Sequence, residues 1–325
     1  MFCKIAKTCY NKRMAKRQIS DNKTLGNAFL GEPTKARLSG EVFTASTLAL
    51  LICSLIFSLA VMGKDAFLSS DGYVYVSFLL PQLCFALALA FVWLRGKPSL
   101  CAVASSQKCH VKYFAIAILL QIGMFGLSEV NTLFLDWLSG FGYVDDGIRL
   151  PSMDGFGFIG VLFVVAVLPA IFEEAVFRGV LLNGLRAFGT LGAVLLSGAL
   201  FALYHQNPAQ TVYQFCCGAT FALVAIRSGS ILPTAVSHFI NNALVLCLTK
   251  FGVTEIVGTA QILVYVVAFF SLVGALVWLF VFDKTPEKQT GKGEGDKKDF
   301  FLRAFIGVLI CAVSWLSALL TGIAG

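Results

Sequence analysis

Long apolar segments most constrain what this chain can fold into. About 20 apolar residues in a helix cross the hydrocarbon core of a bilayer. Nine segments are long enough to cross it or nearly so, at residues 42–62, 73–94, 113–135, 156–186, 190–205, 210–226, 231–249, 259–282 and 301–323. The composition agrees, because 58% of the residues are hydrophobic and only 13% are charged, against about a quarter charged in soluble domains. The sequence predicts an all-α polytopic membrane protein with about nine transmembrane helices.

The distribution of basic residues predicts the orientation in the membrane. Lys and Arg concentrate on the cytoplasmic side of membrane proteins. Successive connections between the segments alternate between those rich and those poor in Lys and Arg. Of the 25 Lys and Arg residues, 21 fall in segments on one side, three on the other, and Arg178 lies within a helix. We therefore expect an integral, multi-pass protein with a cytoplasmic N-terminus and a C-terminus outside.

The N-terminal tail holds most of the net charge. Residues 1–41 contribute +6 of the chain's +7. Such a tail could bind nucleic acid, but beside so many membrane spans an anchor at anionic lipid is the better interpretation. We thus expect membrane lipids as partners, and no nucleic acid. The predicted regions are the cytoplasmic tail (1–41), N-terminal transmembrane helices (42–155), a central helical core (156–250), a further helix (251–282), a polar linker (283–300) and a C-terminal helix (301–325).

Two glutamates and an arginine stand inside the fourth apolar segment. Ionisable groups at bilayer depth are costly, so they are candidates for function. Glu174 and Arg178 are four residues apart, which places them on one helix face where they can pair. Glu173 points about 100° away and is not matched by that arginine. The spacing therefore leaves Glu173 as the carboxylate available for chemistry, although all three could equally form a purely structural lock between helices.

His205, one of three histidines in the chain, ends the fifth segment. The turn between segments four and five is expected near Gly189, which lies 16 residues after Glu173 and 16 residues before His205. In an antiparallel helical hairpin, equal arms bring the two residues level. This register predicts that Glu173 and His205 form an acid/base pair.

The seventh segment contains a second intramembrane histidine, His238, with Asn242 four residues later. The spacing places both side chains on one helix face, while Asn241 points elsewhere. Such a pair can donate hydrogen bonds to a developing oxyanion, or it can hold helices together. We expect Glu173, His205, His238 and Asn242 to converge on one polar cavity that opens to the cytoplasm.

Three motifs in this order resemble a known family. They are Glu-Glu-x-x-x-Arg at 173–178, Phe-x-x-x-His at 201–205 and His-x-x-x-Asn at 238–242. Together they are similar to the signatures of the CPBP (CAAX-protease and bacteriocin-processing, or Abi) family of intramembrane proteases, which is related to the type II CAAX prenyl endopeptidases. The resemblance covers roughly residues 155–250.

The resemblance implies peptide-bond hydrolysis within the membrane by a four-helix catalytic core. Glu173 and His205 would activate water, His238 and Asn242 would form the oxyanion site, and Glu174 and Arg178 would support the geometry. It implies a membrane-associated peptide or lipidated protein as the substrate. Because family members are often described as metalloproteases, Glu173, His205 and His238 are also candidate ligands of a divalent metal such as zinc.

Other interpretations of the sequence stay open. A non-catalytic membrane scaffold or a bacteriocin-immunity protein could keep the same fold, but it would have no need of Glu173. A proton-coupled carrier would also explain glutamate and histidine within the membrane, although we find no internal repeat. Glu129, in the third segment, is best interpreted as a structural hydrogen-bonding residue near the outer end of its helix.

Overall fold

The predicted all-α polytopic architecture is confirmed. The structure, a computed structural model, describes residues 32–96, 109–145, 147–253, 256–284 and 297–324, and these contain no strand. Within them, eight helical stretches are long and apolar enough to cross a membrane. One of these, Gly157–Tyr204, has 48 residues and includes the turn at Gly189, so it corresponds to two of the nine predicted segments.

The N-terminal part consists of two long helices and a broken third one. Helix α1 spans Glu32–Val61, and a short turn of helix, α2, spans Asp65–Leu68. Helix α3 runs from Asp71 to Gly96, and the third predicted segment is divided into α4 (Lys112–Gly126) and α5 (Ser128–Ser139). Because α1 begins at Glu32, the last ten residues of the predicted tail are helical.

Helix α6 (157–188) carries the first motif and is irregular in hydrogen bonding. It contains two π-helical stretches, Phe163–Val167 and Ala175–Leu181, on either side of the α-helical stretch Leu168–Glu174. π-Helical turns widen a helix locally and are frequent at functional sites. Glu173 and Glu174 therefore lie at the junction between regular helix and the second wide turn.

The remaining core helices follow with short connections. Helix α7 spans Gly189–Tyr204 and begins at the predicted turn, where Gly189 has a φ of +78°. A break at residues 205–207 and a short 3₁₀ turn, Pro208–Gln210, lead into α8 (Thr211–Ser228), and α9 spans Leu232–Lys250. These helices and α6 form the predicted four-helix core.

Two further helices pack outside this core. Helix α10 spans Thr259–Val277 and continues in a π-helical stretch to Phe282, and α11 spans Lys297–Ala324. Helix α10 packs against α4, whereas α11 packs along α1. The predicted tail before residue 32, the loop at 97–108 and most of the polar linker (285–296) lie outside the described residues.

Glycines bring α7 and α8 into close contact. A Cβ atom on Gly218 would lie 2.9 Å from the Cα atom of Gly198 and 2.9 Å from the Cβ atom of Phe201. Small residues of this kind let membrane helices approach closely. Phe201 and the nearby Phe177 and Tyr204 are buried in the main hydrophobic cluster, beside Phe85 of α3. The close approach fixes the end of α7, which carries His205, against α8.

Candidate active site

The predicted pairing of Glu174 with Arg178 is confirmed. Nη1 of Arg178 lies 2.8 Å from Oε1 of Glu174, and both side chains are completely buried. The pair survives the π-helical turn because the two side chains still follow one another along the same side of α6. Buried charges require this kind of partner, since an isolated ion in a low dielectric is very costly.

Arg178 is also held by the next two core helices. Its Nη2 donates a hydrogen bond of 3.2 Å to the carbonyl of Gly218 on α8. Its guanidinium carbon lies 4.3 Å from the centroid of the Phe201 ring on α7 and 5.2 Å from that of Phe221 on α8. Aromatic faces attract cations, most strongly where water is absent. Arg178 therefore ties α6 to α7 and α8 at the level of the two glutamates.

His238 of α9 contacts both glutamates. Its Nδ1 lies 3.0 Å from Oε1 of Glu174, and its Nε2 lies 3.9 Å from Oε2 of Glu173. The second distance exceeds that of a direct hydrogen bond, and one water molecule can bridge such a gap. The first and third motifs thus meet through this imidazole.

His205 lies close enough to Glu173 and His238 to interact with both electrostatically. Its Nδ1 lies 2.7 Å from the carbonyl of Phe201, and the centroids of the two rings are 4.7 Å apart. Phe201, the first residue of the second motif, consequently orients the His205 ring with its carbonyl while its own ring packs on Arg178. These contacts give both ends of that motif a physical role.

The tautomers of both histidines follow from their acceptors. A carboxylate and a backbone carbonyl can only accept hydrogen bonds. The hydrogen bonds of Nδ1 with Glu174 in His238 and with Phe201 in His205 therefore require a proton on Nδ1 in each ring. The neutral form of each ring then presents an unprotonated Nε2. Each Nε2 can accept a proton, and it becomes a donor only in the imidazolium form.

Asn242 reaches α6 at a position created by a proline. Pro169 has no N–H to donate to the carbonyl of Val165, four residues earlier. Nδ2 of Asn242 donates a hydrogen bond of 2.8 Å to that carbonyl. Asn242 therefore shares a helix face with His238, as its spacing predicts. One of its two amide hydrogens is already used in holding α9 to the π-helical turn of α6.

Several polar residues that the sequence did not single out surround the motifs. Gln82, on α3, donates a hydrogen bond of 3.3 Å from Nε2 to Oε1 of Glu173. Its own Oε1 is buried and has no hydrogen-bond partner among the described residues. A polar residue directly after Pro81 in a long apolar segment was the available signal, because such residues within a membrane need a partner.

Asn241 points away from the contact between Asn242 and α6, as the spacing predicts. It belongs to a second network of polar side chains. Its Oδ1 accepts hydrogen bonds of 2.7 Å from Nε2 of Gln121 and 2.7 Å from the hydroxyl of Tyr213. Its Nδ2 donates a hydrogen bond of 2.9 Å to Oδ1 of Asn242. Helices α4, α8 and α9 are joined through these side chains, and Asn242 is oriented from behind.

The candidate metal ligands do not form a recognisable metal site. Within the described parts of the chain, no group of three or more His, Cys, Asp and Glu side chains is arranged to hold a metal ion. Nδ1 is engaged in both His205 and His238, and Nε2 of His238 faces a single carboxylate oxygen of Glu173 at 3.9 Å.

Two cavities lie beside the motif residues. An apolar groove of about 420 Å³ lies between α3 and α6, with Gln82 and Phe172 in its wall. A polar cavity of about 610 Å³ is lined by the break after α7 (Gln206, Asn207 and Pro208) and by the last turns of α11. The irregular backbone of this break therefore lines a cavity.

Comparison with known families adds an independent observation. Residues 155–244 match the family model described as Rce1-like, type II CAAX prenyl endopeptidase. The resemblance to the CPBP family is thereby confirmed. A search of the curated proteins and a search of the solved structures found no match. All seven defined residues of the three motifs fall within the matched residues 155–244, whereas Gln82 lies outside them.

Glu129, which lies outside the CPBP region, has the structural character that the sequence indicates. Its Oε1 accepts a hydrogen bond from the hydroxyl of Tyr265 on α10, which also accepts one from Gln261. This contact links α5 to α10 and involves none of the motif residues.

Proposed function

We propose that this protein is an intramembrane endopeptidase that hydrolyses a peptide bond with a water molecule activated by Glu173 and His205. The family match over residues 155–244 supports a CAAX-type endopeptidase in general. One observation supports the assignment of the base: Glu174 is paired with Arg178, while Glu173 interacts electrostatically with His205 and lies 3.9 Å from Nε2 of His238. Two adjacent carboxylates in different environments can take different roles.

Glu173 is the proposed general base. Its carboxylate removes a proton from a water molecule placed between it and the histidines, and the water oxygen attacks the carbonyl carbon of the scissile bond. His205 assists by accepting a hydrogen bond at Nε2 from the same water. The proton then passes from Glu173 to the nitrogen of the leaving amine as the C–N bond breaks. General acid–base catalysis of this kind contributes about 10²- to 10⁴-fold.

His238 is the proposed donor to the oxyanion, and this role requires its imidazolium form because Nδ1 is already a donor to Glu174. Donors in a water-poor site stabilise an oxyanion by about 2.7–4 kcal/mol each. The second amide hydrogen of Asn242 is the other proposed donor.

The proposed substrate is a membrane-associated or lipid-modified peptide. The apolar groove supports this class, because its wall includes Phe172, which precedes Glu173, and Gln82, which donates to Glu173. An apolar chain attached to the peptide would lie in that groove, with the scissile bond beside the carboxylate. In the orientation that the distribution of basic residues predicts, the site formed by the motif residues would open to the cytoplasmic side.

The substitution Glu173→Gln tests the proposal. It removes the basic carboxylate and nearly preserves the shape, so we expect hydrolysis to be lost while insertion and thermal stability are retained. The assay follows cleavage of a synthetic farnesylated CAAX peptide by mass spectrometry, with the purified protein in lipid nanodiscs. Glu129→Gln is the matched control, since it makes the same change in a membrane helix that holds no motif residue, and it should retain activity.

The outcomes separate the classes of function. Full activity of Glu173→Gln would contradict the role of Glu173 as the base. A wild-type protein that cleaves neither the farnesylated peptide nor its unmodified form would favour the non-catalytic scaffold instead. Cleavage of the unmodified peptide alone would contradict the lipid-modified substrate and leave the catalytic assignment in place.

A further inference from the structure

Three arginines from three helices converge on one glutamate at an edge of the bundle. Glu41 of α1 accepts a hydrogen bond of 2.8 Å at Oε1 from Nε of Arg37 and one of 3.0 Å at Oε2 from Nη2 of Arg95 at the end of α3. Nε of Arg303, near the start of α11, lies 4.0 Å from Oε1 of the same carboxylate. The cluster of Arg37, Glu41, Arg95 and Arg303 is called the arginine cluster below.

The arginine cluster has more positive charge than its acids neutralise. Besides Glu41, Asp299 acts electrostatically on Arg37, so among the residues that the structure describes three guanidinium groups face two carboxylates. Like charges held this close repel one another, and a bound anion would relieve the repulsion.

The guanidinium groups are accessible, and each has N–H donors that Glu41 does not occupy. The side chains of Arg37, Arg95 and Arg303 are 46%, 48% and 41% exposed, whereas that of Glu41 is only 15% exposed. A guanidinium has five N–H donors in a planar fork that matches the oxygens of a phosphate. A single carboxylate occupies few of these donors, so each exposed fork can take a further acceptor.

The location selects the kind of anion. Arg95 ends the apolar span of α3, and Arg303 stands just inside the beginning of α11, between residues such as Leu302 and Phe305 that are 65% and 63% exposed. Apolar side chains exposed on a membrane helix face lipid, and an arginine among them reaches toward the head groups. The arginine cluster therefore lies at the boundary where lipid phosphates are found.

From these contacts we propose that the arginine cluster is a binding site for the phosphate group of an anionic phospholipid. The phosphate bridges Arg95 and Arg303 from the lipid side, while Glu41 holds the guanidinium groups in place from within. Basic pockets between membrane helices are suited to such head groups. The inference does not depend on the proposed peptidase activity, because none of the four residues contacts a motif residue.

The bound lipid would hold the C-terminal helix in place. Helix α11 lies close against α1, where a Cβ atom on Gly40 would be 2.6 Å from the carbonyl oxygen of Phe300. The hydroxyl of Thr44 also donates a hydrogen bond of 2.5 Å to the carbonyl of Arg303. A phosphate shared by Arg95 and Arg303 adds a link from α11 to α3, so lipid binding should raise thermal stability.

Native mass spectrometry and thermal unfolding of the full chain in detergent test the proposal. The probes are dioleoyl-phosphatidylglycerol, dioleoyl-phosphatidylcholine and inorganic phosphate. We expect the wild type to retain one phosphatidylglycerol preferentially and to melt at a higher temperature with it than with phosphatidylcholine. The double variant Arg95→Gln with Arg303→Gln should bind it roughly 25-fold more weakly, since each basic residue near a membrane surface contributes about fivefold.

Two controls make the result decisive. Lys64→Gln removes one positive charge from the exposed connection after α1, at the opposite end of that helix, and should leave lipid binding unchanged. Arg303→Lys keeps the charge and should fold even if the double variant does not, with binding weakened by the loss of the planar fork. Equal binding of the two lipids by the wild type, equal weakening by Lys64→Gln, or full competition by inorganic phosphate would overturn the proposal.

Discussion

Removing the charge of Arg178 should destabilise this protein more than any change at Glu173. In Arg178→Met the buried Glu174 carboxylate loses the guanidinium and keeps the hydrogen bond with Nδ1 of His238, and the carbonyl of Gly218 loses the hydrogen bond from Arg178. Removing one member of a completely buried ion pair costs about 3–5 kcal/mol. Met is flexible and apolar, so it fills much of the space between the aromatic rings of Phe201 and Phe221.

The stability assay compares five proteins in the same detergent. These are the wild type, Arg178→Met, Glu174→Gln and the double variant, with Glu173→Gln as the control for a charge change on the same helix. We expect a large fall in melting temperature for both single variants of the pair and a small one for Glu173→Gln. The double variant should recover part of the loss, because replacing both members of a buried pair is far less costly than removing one.

Two results would refute this reasoning. If Arg178→Met and Glu173→Gln had the same melting temperature, breaking the ion pair of Glu174 and Arg178 would cost no more stability than neutralising Glu173. If the effects of Glu174→Gln and Arg178→Met simply added in the double variant, the two side chains would be energetically independent and the contact of 2.8 Å would have no role in stability.

Three further predictions concern the contacts around the motifs. Gln82→Leu removes the hydrogen bond to Glu173 and also a buried unpaired oxygen, so peptide cleavage should fall roughly 2- to 10-fold with no loss of melting temperature. Asn242→Leu leaves the carbonyl of Val165 without this donor and should reduce stability by about 1–3 kcal/mol, measurable as a lower melting temperature. Gly218→Ala places a methyl group against the backbone of α7; overpacking of this kind costs about 1–3 kcal/mol, whereas unchanged melting would contradict the tight contact.

Short-range spacing in the sequence was sufficient to predict the central ion pair and the helical turn on which the site is built. Residues four apart share a helix face, so the pairing of Glu174 with Arg178 could be predicted from spacing alone. The turn at Gly189 could be predicted as well, because it divides a run too long for a single crossing, and the residue there has the positive φ that glycine readily adopts. Length and hydropathy likewise determined the all-α membrane fold.

The partners of each helix face could not be predicted in this way. Spacing placed His238 and Asn242 on one side of α9, but it did not say that His238 would donate to Glu174, 64 residues earlier, or Asn242 to Val165, 77 residues earlier. Gln82 reaches Glu173 across 91 residues. The apolar surfaces of membrane helices resemble one another, and all of them are compatible with lipid. Hydropathy therefore gives no information about which helices are neighbours.

The sequence alone identifies the groups that are chemically unusual, because a charge within an apolar helix is costly wherever that helix lies. It could therefore single out Glu173, Glu174, Arg178, His205 and His238. Spacing pairs Glu174 with Arg178, but the packing of the helices establishes that His238 donates to Glu174 and lies 3.9 Å from Glu173. The proton on Nδ1 of His238, and hence the basic character of its Nε2, therefore depends on an acceptor from another helix, whereas that of His205 depends on the carbonyl of Phe201, only four residues earlier.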